Sequence, residues 1–332
     1  MKKFLIAYTV ADFLFNSHLY HKAIAMYKET QVLLRGSKDK LEIVLHYKLA
    51  RSYVGINELK ESLESYRQLL KFNEEVKDKD WYVRAFRGIS DVHRSLGQHA
   101  HSIFFLRKLL QIVQKAEDKQ VAGEVYLKMG DSYHNLCKLD KSIECHNYAL
   151  KICREIGDKQ MEGDVLFSLG GTHRDLAHYS EAIKCLEESL EIFKKFGKCK
   201  AEGESYRRLG MTYQEKGNYD KALECHFKSL ELMEKHGDEV DVGVSYNNIG
   251  TTYNAISKNY EALNYFQKSL AIMEKCARKT ELGKAHHSHG LCYSGLGRYA
   301  EAIEHQLQAV KILEETGTMF EIGRARCQLG NT

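Results

Sequence analysis

Four side chains able to bind a metal crowd into one short stretch: His286, His287, His289 and Cys292. Imidazole and thiolate groups this close in sequence are the ligand types of zinc sites. On a helix, however, successive residues diverge by about 100°, so His287 points away from His286 and His289, which share a core-facing stripe. No second cluster of matching spacing completes a ligand set, so these are expected to be core histidines, with no metal and no cofactor. Cys145-His146 and Cys225-His226 each set a nucleophile beside a base. The same divergence prevents the direct hydrogen bond that a Cys-His nucleophile requires. The recurring Gly-x6-Gly spacing does not sit in a strand-to-helix turn and is not a phosphate loop. With no convergent nucleophile, base or metal group, no enzymatic activity is expected.

The glycines describe architecture instead. Gly123, Gly163, Gly203, Gly243, Gly283 and Gly323 are each 40 residues apart, and Gly130, Gly170, Gly210, Gly250, Gly290 and Gly330 run in step with them. Upstream the second set continues as Ser90, Ala50 and, one residue out of step, Ala11. A third set is Ala23, Ser62, Ser102, Ser142, Ala182, Ala222, Ala262 and Ala302. Small residues at two points 12 apart across a turn suit two antiparallel helices whose backbones approach closely. Each unit therefore reads as a helical hairpin. Tyr126, Met129 and Tyr133 in a first helix, and Ile143, Leu150 and Ile152 in a second, fall at helical spacing and are expected to form core. Between units, Gly157, Gly197 and Gly237 are placed to adopt the left-handed helix-ending conformation, and Asp158 and Asp238 to cap the helix that follows.

Composition agrees. The 332 residues contain no proline, against a usual frequency of about 5%, which favours helix nearly end to end. Basic and acidic residues number 49 and 45, a net charge of +4, so no overall field draws the chain to nucleic acid or to lipid. Nine cysteines, odd in number and scattered over helical positions, suit a reducing compartment, and a cytoplasmic location is expected. Met1-Lys2-Lys3 followed by Phe4-Leu5-Ile6-Ala7 imitates a secretory leader, but Asp12 interrupts the apolar run and no small-x-small cleavage site follows. No apolar stretch of about 18 residues provides a membrane span, so no membrane insertion is expected.

Leu209-Gly210-x-x-Tyr213 followed by Gly217-Asn218-Tyr219-Asp220-Lys221-Ala222 resembles the tetratricopeptide consensus. The resemblance covers the whole chain. It implies an all-α, right-handed superhelical solenoid: a single array over 1–332 of eight hairpin units and a partial ninth from about Thr318. The 40-residue unit resembles the longer-helix branch of Pins-type adaptors and rapsyn, in contrast to the common unit of about 34 residues. The proline frequent near the end of a family unit is missing, and one slip occurs at Asn259-Tyr260, one residue late relative to Tyr219 and Tyr299. On this reading Gly130, Gly170, Gly210, Gly250 and Gly290, with Ala182, Ala222, Ala262 and Ala302, are structural. The partial ninth unit leaves Phe320, Ile322 and Leu329 without a full mate, which raises truncation or self-association as expectations.

One more first-helix stripe runs six and three residues before, and one and four after, the small residue of each unit. Its spacing puts these positions on one face, roughly 130° from the core stripe. The resemblance implies that this face lines a concave groove. It carries Arg84, Arg87, Asp91 and Arg94, then His134, then Asp164, Phe167 and Arg174. Glu204, Arg207, Met211 and Gln214 follow, then Asn247, Thr251 and Asn254, with Lys128, Arg208 and Asn248 at the margin. Guanidinium groups alternating with amides suit an extended peptide carrying acidic and amide side chains. Arg207, Asn248 and Lys284 echo a carboxylate clamp for chaperone C-termini, but Met211 and Ser288 stand where that clamp resembles an asparagine and a basic residue. The function expected is a scaffold or adaptor that binds a segment of a protein partner. The alternative is a ligand-sensing regulatory array within a larger signalling or receptor protein.

Overall fold

In a computed structural model, the structure describes residues 2–34, 41–316 and 319–331. Among these every regular element is a helix. The helices pair in chain order: α1 (Lys2–Asn16) with α2 (Tyr20–Leu34), α3 (Leu41–Gly55) with α4 (Leu59–Val76), α5 (Lys79–Ser95) with α6 (His99–Lys115), and α7 (Lys119–Asn135) with α8 (Leu139–Ile156). The order continues with α9 (Lys159–Asp175) and α10 (Tyr179–Lys195), α11 (Cys199–Glu215) and α12 (Tyr219–His236), α13 (Glu239–Ala255) and α14 (Asn259–Cys276), and α15 (Lys279–Gly295) and α16 (Tyr299–Thr316). Last comes α17 (Met319–Asn331). Thr318, the expected start of the ninth unit, lies outside the described residues. The chain divides into two compact units, Met1–Asp158 and Lys159–Thr332.

Within each unit the core follows the small-residue series. Ala11, Ala50, Ser90, Ser62, Ser102, Ser142, Ala182, Ala222, Ala262 and Ala302 have no exposed surface. Ser62 Oγ donates across its hairpin to Ala50 O at 2.9 Å, so the two small positions do meet. The glycines complete the contact in a way that spacing alone did not specify. A Cβ added at Gly130, Gly210 or Gly290 would lie 2.3, 2.5 or 2.4 Å from the side chain of His146, His226 or Gln306. At Gly170 and Gly250 it would lie 2.7 Å from Leu186 and from Phe266. Each of these second-helix side chains sits four residues beyond the small one. It fills the space that the missing Cβ leaves, so the small residue admits the backbone and its neighbour one turn on packs the gap.

Two local expectations change. Gly157 and Gly197 take the left-handed conformation, with φ of +75° and +63°, but Gly237 is extended, at φ −89° and ψ −176°. There Asp238 and Asp241 form a reciprocal capping box, and the extended turn feeds it. At the slip, Asn259 occupies the place that tyrosine holds elsewhere and donates through Nδ2 to Gly295 O at 3.0 Å, while Tyr260 is left outside, 78% exposed.

The reactive-looking groups are packing groups. Burial pushes the Cys145, Cys225 and Cys292 thiols up to about 11, away from thiolate chemistry. Among the described residues no three His, Cys, Asp or Glu side chains are grouped to hold a metal. His286 and His289 lie in the α15–α16 core, where His286 Nδ1 is 3.1 Å from His305 Nδ1 and His289 stacks on His305 at 5.0 Å. His287 leaves this cluster and bonds Gln306 Oε1 at 2.9 Å. Burial, followed by the neighbouring His305, lowers His286 and His289 to about 4.

Two outcomes are expected. Gly210→Leu should lower the unfolding midpoint, costing about 1–3 kcal/mol by overpacking against His226. Gly323→Ala, whose Cβ would meet nothing within 4 Å, should leave it unchanged or raise it by up to about 1 kcal/mol; equal losses in circular-dichroism melts would refute the packing account. For the histidines, the unfolded chain holds a proton below about 6.5, whereas the folded chain takes it up only near the lowered value. Unfolding therefore binds protons in this window, and stability should fall as pH drops from about 6.5 toward about 4. His289→Phe should flatten that part of the melting-temperature profile.

Candidate partner-binding groove

Each hairpin spends one first-helix face on its own second helix and another on the neighbouring hairpin, which leaves the third stripe free of core duty. In the Lys159–Thr332 unit that stripe lines a cavity of about 500 Å³. Arg207 and Met211 reach it from α11, and Asn247, Asn248 and Asn254 from α13. Glu204, Gln214 and Thr251 join them, as the stripe predicts. Lys284, His287 and Leu291 on α15 and Arg324 on α17 also line it. These hold the same register further along the chain, so continuing the count would have found them. Ser288, Met211, Arg207, Asn248 and Lys284, the positions compared with a carboxylate clamp, thus share one cavity. Met233 on α12 and Phe266, Ser269 and Met273 on α14 line it too. No first-helix rule points to those four.

The remaining predicted residues lie elsewhere. Phe167 and Arg174 are on α9 and do not line the cavity. The Arg208 guanidinium lies over the Phe167 ring at 3.8 Å and donates to Phe167 O. Arg174 bonds Asp175 at 2.8 Å, lies 3.9 Å from Glu215 and touches Met211 Sδ at 3.7 Å. In the Met1–Asp158 unit, Arg87 pairs with Glu124 at 2.9 Å, Arg94 with Asp131 at 3.7 Å, and Lys128 with Asp91 at 2.7 Å, a ladder between α5 and α7. Arg84 stacks over Trp81 at 5.0 Å, and His134 is half-buried on α7.

Electrostatically this corrects the view of the stripe as a row of open cations. Glu124 and Asp131 themselves hold stripe positions, six before and one after Gly130. Between α5 and α7, therefore, acids and bases of the two stripes face one another in both directions. The cavity repeats the theme: Arg207 pairs with Glu204, Lys284 with Glu281 at 3.2 Å, Arg324 with Glu321 at 3.6 Å, and Asp241 with Lys200 at 2.7 Å. Burial raises the Glu215 carboxyl above its ordinary value, against the pull of Arg174. What the cavity leaves unmet is neutral. Asn247 Oδ1 and Asn248 Nδ2 are buried without a hydrogen-bond partner.

The solved structures similar to this chain include the apo form of RapI, at 16% identity and a TM-score of 0.68 over 99% of this chain and 96% of that one. A Rap protein complexed with competence and sporulation factor matches at 13% identity and 0.64, over 100% and 98%. Aspartyl phosphate phosphatase F from Bacillus subtilis matches at 13% and 0.62, over 98% and 92%. At these identities the likeness is one of fold. No curated protein matches the sequence. No helix among the described residues is long and apolar enough to cross a membrane. The tetratricopeptide repeat model matches residues 122–195, 202–275 and 241–315, more than half of the chain. With its paired helices, recurring small residues and close hairpin crossings, the chain belongs to the tetratricopeptide repeat family.

Proposed function

We propose that this protein is a non-catalytic adaptor that holds an extended segment of a protein partner in the cavity between α11, α13 and α15. The observation that carries the reading is the pair of unmet groups on α13: Asn247 Oδ1 needs a donor and Asn248 Nδ2 an acceptor. A buried polar atom without a partner is costly, and a peptide unit supplies one N–H and one C=O. The amide-rich part of the expected partner is kept. The acidic part is not, because the cavity arginines and lysine already face carboxylates of this chain. The nine cysteines, odd in number and scattered over helical positions, fit a reducing, cytoplasmic setting. We take 1–332 as one array in the sense that a single 40-residue register runs through both units. The sensor reading draws on the Rap protein that was solved with competence and sporulation factor; an effector that responds to occupancy of the same cavity would distinguish it from a plain adaptor.

The test is co-purification, with mapping of the bound segment by cross-linking. Asn247→Ala with Asn248→Ala and Asn254→Ala should abolish capture while the helical signal stays unchanged. Lys184→Glu with Lys228→Glu, on exposed positions of second helices, should leave capture intact. The reverse pattern would move the interface to the outer surface.

A further inference from the structure

The serines of the second helices show a broken repeat. Ser189, Ser229 and Ser269 stand 40 residues apart, each with its side chain fully buried. Ser189 Oγ donates to Gly163 O and Ser229 Oγ to Gly203 O, both at 2.9 Å. The next member departs: Ser269 Oγ has no hydrogen-bond partner. Ser269 also lines the cavity, whereas Ser189 and Ser229 do not. Beside it on α14, Phe266 and Met273 line the same cavity and are each 1% exposed. The helix that carries these three packs against both α13 and α15.

We infer that Ser269, with Phe266 and Met273, forms the floor of a side-chain subsite that accepts one uncharged residue of the bound segment, with a hydrogen-bonding amide or hydroxyl at its end. This rests on the groove reading above and adds to it the residue class selected. A charged side chain is disfavoured because the rim charges are already paired with one another, and burying an uncompensated charge is expensive. A wholly apolar side chain would suit Phe266 and Met273 but leave the hydroxyl unmet. An amide or hydroxyl on an apolar stem satisfies both. The cavity volume of about 500 Å³ gives room for a side chain together with its backbone, within the usual range for ligand sites.

The experiment selects random displayed peptides on the immobilised full chain, then titrates a synthetic copy of the selected peptide. Selected sequences should share a position filled by Asn, Gln, Ser or Thr. Its replacement by Ala should weaken binding about two- to tenfold, and Ser269→Ala by a similar factor. The two changes together should cost no more than either alone, since they remove one contact. Ser269→Ala should not lower the melting temperature of the free protein, whereas Ser229→Ala, which breaks the bond to Gly203, should. A charged or wholly apolar residue at the shared position, additive losses, or a Ser269→Ala that destabilises like Ser229→Ala without affecting binding would overturn the subsite. If peptides bind but ignore Asn247→Ala with Asn248→Ala, the groove itself is wrong; if none is selected, groove and subsite fall together.

Discussion

The close approach of two helix backbones inside each hairpin is the constraint on which the rest depends. It requires small residues at both crossing points and a filler one turn beyond the second. His146, Leu186, His226, Phe266 and Gln306 are chemically unlike, yet each occupies the space above a glycine that has no Cβ. The crossing therefore conserves volume more strictly than polarity, as expected of an interior packed to crystal-like density. Ala182, Ala222, Ala262 and Ala302 cannot vary in the same way, since they lie where backbone meets backbone.

That crossing also assigns the faces of each first helix. One stripe is committed to the hairpin, a second to the adjoining hairpin, and what remains must face neighbouring first helices or an open trough. Long charged side chains placed there find partners on the next first helix about 40 residues away, as in Arg87–Glu124 and Lys128–Asp91. Such half-exposed pairs contribute little to stability individually. Their larger effect is to neutralise charge along the stripe; within the Lys159–Thr332 unit, the cavity-lining side chains that keep a buried polar atom without a partner are two asparagines and a serine.

Reactive residue types acquire their roles from the same packing. Histidine at 286 and 289 behaves as an aromatic filler, packed against the ring of His305 and, at position 289, those of Tyr293 and Phe266. Cysteine at 145 and 225 behaves as a small apolar residue whose proton is held by burial. Both would suggest chemistry if read without the repeat, because a short sequence window contains no information on which neighbours arrive from the paired helix.

Repeat period, helical hairpins, buried small residues and the register of the groove stripe were all legible in the amino-acid sequence. They follow from local rules: glycine spacing, helical periodicity and the absence of proline act within one unit and are then copied. Tertiary structure alone decided the contents of the cavity. Met233, Phe266, Ser269 and Met273 line it from second helices, a contribution that no first-helix spacing encodes. It also decided the charge state of the stripe, since an arginine facing a carboxylate 37 residues on, as Arg87 faces Glu124, reads in sequence as an isolated cation. Whether Ser269 would repeat the bond of Ser229 was likewise invisible: the residue and its register are the same, and only the three-dimensional surroundings of the hydroxyl differ.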